Sequence, residues 1–340
     1  MRKLVLIILI ALIVISCRQT TEPIDDDFML PVVPDSAEVT FNSNGWAEIR
    51  SLPNELMYEN IRLIEAANEN IAWVSDWDIG TIYKTENGGK SWITLNPPLK
   101  GKLFYLEALD SLTLWIGSQV GEIFKSTDGG YNWVLQHDSY FINYIEFFDS
   151  QNGIAMGDSP LSNAEPIEII HTTDGGTTWM NKNVQLYGYT TNMAVSFANP
   201  DVGFMRITES SNILHKTIDG GVTWNTFTPP LTGQNIYILA TVTADVVLIS
   251  FGTSVISTDG GNTWTQQFLP SFPTNFSKVR NDPNYIFTIA GTVHRSSNSG
   301  RDWEAFDTGI STIWQAVSSP KKNIVWLSGR FGKVTYKVLD

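Results

Sequence analysis

Hydrophobic positions in this chain fall in short runs that are separated by turns rich in glycine, asparagine and aspartate. One example runs through Phe104 to Ala108, Thr113 to Gly117 and Glu122 to Ser126, and a turn then leads to Trp133. Short runs of β-branched and aromatic residues are typical of strands rather than helices. The pattern predicts an all-β chain made of units with four short antiparallel strands, named A to D in chain order.

One turn sequence recurs and sets the period of the chain. It reads Ser or Thr, any residue, Asp or Asn, two small residues that are mostly glycine, two variable residues, and Trp. Six copies end at Trp92, Trp133, Trp179, Trp224, Trp264 and Trp303, and a degenerate seventh ends at Asn44-Gly45-Trp46. Successive Trp residues lie 39 to 46 positions apart, which matches one four-stranded blade of a β-propeller.

The acidic or amide residue of each turn has a structural explanation. Its side chain can accept hydrogen bonds from nearby backbone N–H groups, while glycine supplies the positive φ that a tight turn needs. These residues occur once per unit, so they lie on separate blades and cannot converge on one ligand or metal ion. We therefore expect structural roles for Asn87, Asp128, Asp174, Asp219, Asp259 and Asn298, with each Trp buried between sheets.

The two ends of the repeat region predict ring closure. After Trp303, the runs at Trp314 to Val317, Val325 to Ser328 and Lys333 to Lys337 supply strands A, B and C, and no strand D follows before Asp340. Residues 41–51 can supply the missing strand, pairing near Thr335, and closure of this kind removes exposed sheet edges. The sequence thus predicts a seven-bladed propeller over residues 41–340, closed by an N-terminal strand.

The N-terminus has the pattern of a secretion signal. Arg2 and Lys3 precede an apolar run from Leu4 to Ile15, and the small residue Ser16 precedes Cys17, the single cysteine of the chain. This resembles the lipobox of bacterial lipoproteins, which implies removal of residues 1–16, a lipid on Cys17 and a place on the cell envelope. The alternative is an uncleaved anchor. Residues 17–40, with prolines and an acidic run at Asp25–Asp27, are expected to form a flexible linker.

Charge and composition exclude some classes of binding partner. The chain carries 35 acidic against 22 basic residues, a net charge of -13, which repels nucleic-acid backbones. Its four histidines lie in different units, and neither a metal site nor a cofactor motif is predicted. We expect a monomer.

The repeated turns resemble the Asp-box, or BNR repeat, of sialidases and sortilin-like receptors. The longer pattern from Gly117 to Trp133 is similar to the photosystem II stability and assembly factor family. That resemblance implies a seven-bladed propeller without known catalysis. The family binds photosynthetic partners partly through an arginine-rich face.

Two functional hypotheses follow. The first is a non-enzymatic binding or assembly scaffold whose partner is another envelope protein or a glycan. Its contact face would be formed by the B–C and D–A loops, where aromatic residues and arginines are candidate hot spots. These candidates are Trp77, Tyr140, Tyr187, Tyr189, Arg206 and Arg330.

The alternative is a sialidase-like glycoside hydrolase that uses a pair of loop carboxylates on the same face. The candidates are Asp76, Asp78, Asp158 and Glu209, although the sequence lacks the arginine motif of sialidases. The loop at residues 157–168 is longer than its counterparts, and it is either a binding element or a length variant.

Overall fold

The computed structural model describes residues 39–50, 52–56, 59–76, 80–139, 141–158, 165–190, 194–207, 213–229, 238–250, 254–267 and 273–340. The predicted signal segment and most of the predicted linker lie outside these residues. So do Trp77, Asp78, Tyr140 and Glu209 among the candidates named above, together with residues 159–164 of the long loop.

The described strands form seven antiparallel blades, each in simple A-B-C-D order where four strands are present. Blade 1 contains β3 Leu63–Ala66, β4 Ala72–Ser75, β5 Ile82–Thr85 and β6 Ile93–Leu95. Blade 2 contains β7 Leu103–Ala108, β8 Leu114–Ser118, β9 Glu122–Ser126 and β10 Val134–Asp138. Blade 3 contains β11 Tyr144–Phe147, β12 Gly153–Gly157, β13 Glu168–Thr172 and β14 Met180–Asn181.

Blade 4 contains β15 Val195–Phe197, β16 Gly203–Arg206, β17 Leu214–Thr217 and β18 Asn225–Phe227. Blade 5 contains β19 Ile238–Thr241, β20 Val247–Ser250, β21 Ser254–Ser257 and β22 Thr265–Gln267. Blade 6 contains β23 Asn275–Lys278, β24 Ile286–Ala290, β25 Thr292–Ser296 and β26 Glu304–Phe306. Blade 7 contains β27 Trp314–Lys321, β28 Ile324–Gly329 and β29 Val334–Val338. A short 3-10 helix, Asn54–Leu56, precedes blade 1. The predicted all-β, seven-bladed fold is confirmed.

The hydrophobic core is divided among the junctions between neighbouring blades. The described residues contain seven hydrophobic clusters, and each combines side chains from two adjacent blades with one Trp of the repeated turn. Trp46 of the degenerate turn lies in the cluster between blades 6 and 7, fully buried like the largest core residues. The seventh turn thus places its Trp between two blades as the other six turns do, even though its sequence has diverged.

The two faces of the ring carry different connections between strands. In each of the six four-stranded blades, the repeated C–D turn hydrogen-bonds to the A–B turn of the same blade, as in Gly129 N to Leu112 O at 2.8 Å and Gly220 N to Asp201 O at 2.9 Å. We call this end the box face. The opposite end carries the B–C and D–A connections and is called the upper face.

The N-terminal segment closes the ring by a contact that differs from the predicted one. Strands β1 Thr40–Phe41 and β2 Ala47–Glu48 pair with each other as a hairpin. The hairpin lies against β29 through side-chain bonds, from Thr335 Oγ1 to Ala47 O at 2.6 Å and from Lys337 Nζ to Asn44 O at 2.7 Å. Within the described residues β2 forms its backbone ladder with β1, and its contact with β29 is made by side chains.

Candidate functional site

The repeated turns hold their own backbone. In blade 2, Asp128 Oδ1 accepts hydrogen bonds from Ser126 Oγ at 2.8 Å and from Asn132 N at 2.9 Å, while Gly130 N donates to Ser126 Oγ at 2.8 Å. Equivalent bonds occur around Asn87, Asp174, Asp219, Asp259 and Asn298. Hydrogen bonds from Thr178 to Asp174 and from Thr263 to Asp259 lower the pKa of both carboxyls to about 2. Each turn acid is therefore occupied within its own turn.

The A strands of all seven blades surround a central cavity of about 640 Å³ that extends to the A–B turns of the box face. One position of each A strand contributes to its wall. These positions are Glu65, Glu107, Glu146, Ser196, Ala240, Ser277 and Ser318.

Within the described residues, side chains at this position link four of the seven blades to the next one, and in blade 6 Ser277 Oγ accepts from Ser319 N of blade 7 at 2.9 Å. Ser318 Oγ accepts from Ala66 N at 3.0 Å, and Ser196 Oγ accepts from Thr241 N at 2.9 Å. Glu146 Oε2 accepts from the next blade in the same way, from Phe197 N at 3.3 Å. These inner positions thus join neighbouring A strands at four of the seven junctions.

Two cations from blade 6 cross the cavity. Lys278 Nζ lies 2.7 Å from Glu146 Oε1 of blade 3 and also donates to the carbonyl of Phe197. Arg280 Nη2 lies 2.7 Å from Glu107 Oε1 of blade 2, and its other terminal nitrogen donates to the carbonyl of Phe147. Both cations therefore connect blades that are far apart in the ring.

Two of the three cavity carboxylates, Glu107 and Glu146, pair with these cations, and the third, Glu65, does not. Glu65 receives one hydrogen bond, from Ser318 Oγ at 3.3 Å, and among the described residues it forms no ion pair. Burial, with Glu107 nearby, raises the pKa of Glu65 well above its usual value. Burial also raises the pKa of Tyr105, so this phenol stays protonated beside the acids. In the part of the chain that is described, no group of three or more His, Cys, Asp or Glu side chains could hold a metal ion.

A second site lies on the upper face, in the D–A connection between blades 3 and 4. Tyr187 and Tyr189 are exposed there, at 44% and 37% of their surface. Their connection is anchored from below, because Thr190 N and Oγ1 donate to Asp158 Oδ1 at 2.6 and 3.1 Å. We call residues 182–190 the aromatic platform.

Further bonds fix the platform to blade 3. Asn143 Nδ2 donates to the carbonyl of Thr190 at 3.2 Å, and Ile167 N donates to the carbonyl of Leu186 at 2.7 Å. Thr190 is buried, and burial raises the pKa of Asp158 against the effect of its hydrogen bonds. The platform therefore presents two aromatic rings on a fixed base.

The sequence-predicted candidates separate in the structure. Tyr187, Tyr189 and Arg330 lie exposed on the upper face, whereas Arg206 is buried at the end of β16 because strand B of each blade lies between its neighbours. Asp76 is also buried, directly after β4, and Asp158 is committed to Thr190. The structure brings no two of the described carboxylate candidates together.

The charged residues of the cavity are not among the sequence-predicted candidates. A signal was present, because aligning the units on strands A and B places Glu65, Glu107 and Glu146 at the same A-strand position, opposite Trp73, Trp115 and Ile154 of strand B. Lys278 and Arg280 gave no such signal, since their partners belong to blades distant in the chain.

The geometry defines a closed Asp-box propeller. Residues 182–332 match the family described as photosynthesis system II assembly factor YCF48. A photosystem II assembly lipoprotein Ycf48 from Synechococcus sp. (strain CC9902) is 25% identical over 250 residues, which cover 70% of this chain and 71% of that protein.

Solved structures support the same fold. YCF48 bound to a D1 peptide superposes with a TM-score of 0.68 at 15% identity, covering 89% of this chain and 100% of that one. A catalytically inactive virginiamycin B lyase from Staphylococcus aureus gives 0.65 at 13% identity, covering 86% and 99%. The chain is thus a seven-bladed propeller similar to the photosystem II assembly factors. Within the described residues, no helix has the length and apolar character to cross a membrane.

Proposed function

We propose that this protein is a non-enzymatic scaffold that binds another envelope protein through the aromatic platform and is held at a membrane by a lipid on Cys17. The observation that carries the proposal is the pair of exposed rings, Tyr187 and Tyr189, on a connection anchored by Asp158 and Thr190. Tyrosines on a fixed base bind with little loss of conformational entropy, which is why such residues dominate binding hot spots.

Two relatives support this proposal. The Synechococcus relative is named an assembly lipoprotein, and one of the superposing propellers was solved with a D1 peptide. For this chain we infer the same general activity, recognition of a protein segment, without assigning that partner.

The charged cavity argues against the hydrolase alternative. Hydrolysis of a glycoside needs one carboxyl that donates a proton and a second that acts as base or nucleophile. Glu107 and Glu146 are bound instead to Arg280 and Lys278. Of the two described loop candidates, Asp158 is bound to Thr190 and Asp76 is buried.

Binding is tested by in-cell cross-linking and affinity purification of the full chain. We expect wild type to enrich one envelope protein, and the double variant Tyr187→Ala/Tyr189→Ala to reduce that enrichment at least roughly tenfold, since aromatic hot-spot truncations cost ~2 kcal/mol or more. Tyr131→Ala is the matched control, because Tyr131 is 41% exposed on the box face. Equal loss in both variants would contradict the platform as the contact site, and turnover of a glycan panel would support the hydrolase.

Lipid attachment is tested separately. Cells that express the wild-type chain should incorporate labelled palmitate into it, and Cys17→Ala should abolish the label. A wild-type product without label would remove the membrane anchor from the proposal and leave partner binding to stand by itself.

A further inference from the structure

One loop of the upper face exposes an aromatic side chain on a residue whose backbone is strained. Phe331 lies between β28 and β29 with φ of 57°, and its side chain is 66% exposed. A bulky residue in the left-handed region is strained, and glycine or asparagine would avoid that strain. Exposure of the ring means that core packing does not compensate for it.

The loop is held rigidly in this conformation. Gly329 N donates to Lys333 O at 2.8 Å, Gly332 N donates to Glu59 O at 3.0 Å, and Arg330 N donates to Ile313 O at 3.1 Å. Ile313, bonded to the loop in this way, is itself 54% exposed. Two apolar side chains are thus presented together at the upper end of blade 7.

Basic residues flank these apolar side chains. Arg330 and Lys333 are exposed on either side of Phe331, and within the described residues neither forms an ion pair. The chain as a whole carries a net charge of -13. A small basic and apolar surface on an acidic protein is complementary to anionic lipid headgroups, into which exposed aromatic and aliphatic side chains can insert.

The N-terminal hairpin begins on the same side of the ring. Strand β2 runs antiparallel to β29, since Thr335 contacts Ala47 and Lys337 contacts Asn44. Strand β1 is antiparallel to β2, so the chain enters Thr40 from the direction of the upper face at blade 7. Only 22 positions separate Cys17 from Val39, a reach of at most roughly 75 Å.

We propose that Ile313, Arg330, Phe331 and Lys333 form a membrane-contact patch that rests on an anionic lipid surface, with the upper face turned towards the bilayer. This proposal rests on the proposed lipid anchor. Tethering raises the local concentration of the patch at the membrane and so strengthens its contact with the lipid. The aromatic platform then faces a partner that is itself in or at the membrane.

The test uses the full chain with one new cysteine that carries the environment-sensitive fluorophore NBD. Phe331→Cys is compared with Ile218→Cys, since Ile218 is 64% exposed on the box face beside Asp219. Cys17 is the same in both variants. On phosphatidylglycerol vesicles, NBD at residue 331 should gain emission and shift to the blue, with a weaker response on phosphatidylcholine. NBD at residue 218 should not respond.

A charge reversal makes the test specific. Adding Arg330→Glu/Lys333→Glu to the labelled variant should reduce the response on anionic vesicles, by roughly fivefold in affinity for each basic residue that is lost. Equal responses at residues 331 and 218, or no preference for anionic lipid, would overturn the proposal. A response at 331 only with the purified protein partner would make the patch a protein interface and also overturn it. Palmitate labelling reports on the anchor independently.

Discussion

At the scale of single residues, the surroundings of the turn acids Asp174 and Asp259 favour the charged carboxylate, and those of the cavity acid Glu65 favour the neutral form. Asp174 and Asp259 are stabilised as carboxylates by hydrogen bonds from threonines, whereas burial disfavours the charged form of Glu65. The sequence predicted the first group because each acid is explained by neighbours in its own turn. It could not predict the second, since burial of Glu65 depends on the closed ring.

Replacing a turn acid should cost stability in a way that depends on hydrogen bonding. Asp219 accepts from Thr223 N at 2.9 Å and from Thr217 Oγ1 at 2.8 Å. Asp219→Ala should therefore lower the free energy of unfolding in urea by about 1–2 kcal/mol. Asp219→Asn is the control and should cost less, because an amide oxygen can accept both bonds and the Thr223 hydroxyl can turn to accept from the amide. Equal losses would indicate that charge, not hydrogen bonding, holds the turn.

Glu65 should make stability depend on pH. Its pKa in the folded protein is raised above the unfolded value of 4.5, so its contribution is most favourable below about pH 4.5 and is lost as pH rises through the folded pKa. Glu65→Gln should raise the melting temperature at pH 8 and have little effect at pH 4. A melting temperature that falls at both pH values would show that the carboxylate is needed in the fold.

At the scale of elements, two links between distant segments position the sites. Arg280 and Lys278 join blade 6 to blades 2 and 3, and Asp158 joins a B–C loop to the aromatic platform. The sequence predicted the four-stranded units to which these residues belong from the repeat and its hydrophobic pattern. It misplaced Arg206 and left the cavity cations unassigned, because one-dimensional spacing does not show which side of a strand faces a neighbouring blade.

The Arg280–Glu107 pair should show strong coupling. Arg280→Met leaves Glu107 buried without its cation, and loss of one partner from a largely buried pair should cost about 3 kcal/mol. The double variant Arg280→Met/Glu107→Gln should recover much of that loss, because no buried charge remains unmatched. A double-mutant cycle in urea measures the coupling, and additive losses would mean that the ion pair contributes little.

The hydrogen bonds between Thr190 and Asp158 should control the local order of the aromatic platform rather than the global stability of the protein. Thr190→Val removes the hydroxyl that Asp158 accepts from and Asn143 donates to. Amide hydrogen exchange in residues 182–190 should accelerate at least roughly tenfold, equivalent to the loss of ~1.4 kcal/mol of local protection. The blade cores should be unaffected. Faster exchange throughout the ring would show that this threonine supports the whole fold.

At the scale of the whole molecule, stability depends on closing the ring at blade 7. The sequence predicted seven blades and the place of closure, because the repeat count and the missing last strand are both visible in it. The kind of closure could not be predicted, since the sequence pattern did not indicate that residues 40 and 41 form a strand that pairs with β2.

Two truncations should distinguish the contribution of the closing hairpin to stability from that of the chain before it. Removal of residues 1–38 should leave the melting temperature unchanged. Removal of residues 1–50 should destabilise the ring by at least about 3–5 kcal/mol, because Trp46 is fully buried and its loss leaves a large cavity. Similar melting temperatures for both truncations would show that the hairpin is dispensable.

The hairpin at blade 7 also determines how the ring would respond to mechanical load. A pull on the chain ahead of Thr40 acts first on β1 and β2, which are held to β29 by side-chain bonds from Thr335 and Lys337 rather than by a backbone ladder. In the other six blades, all four strands are joined by backbone ladders. Under tension between membrane and partner, the ring would therefore open at this seam, and force would be released there before it reached the cavity or the aromatic platform.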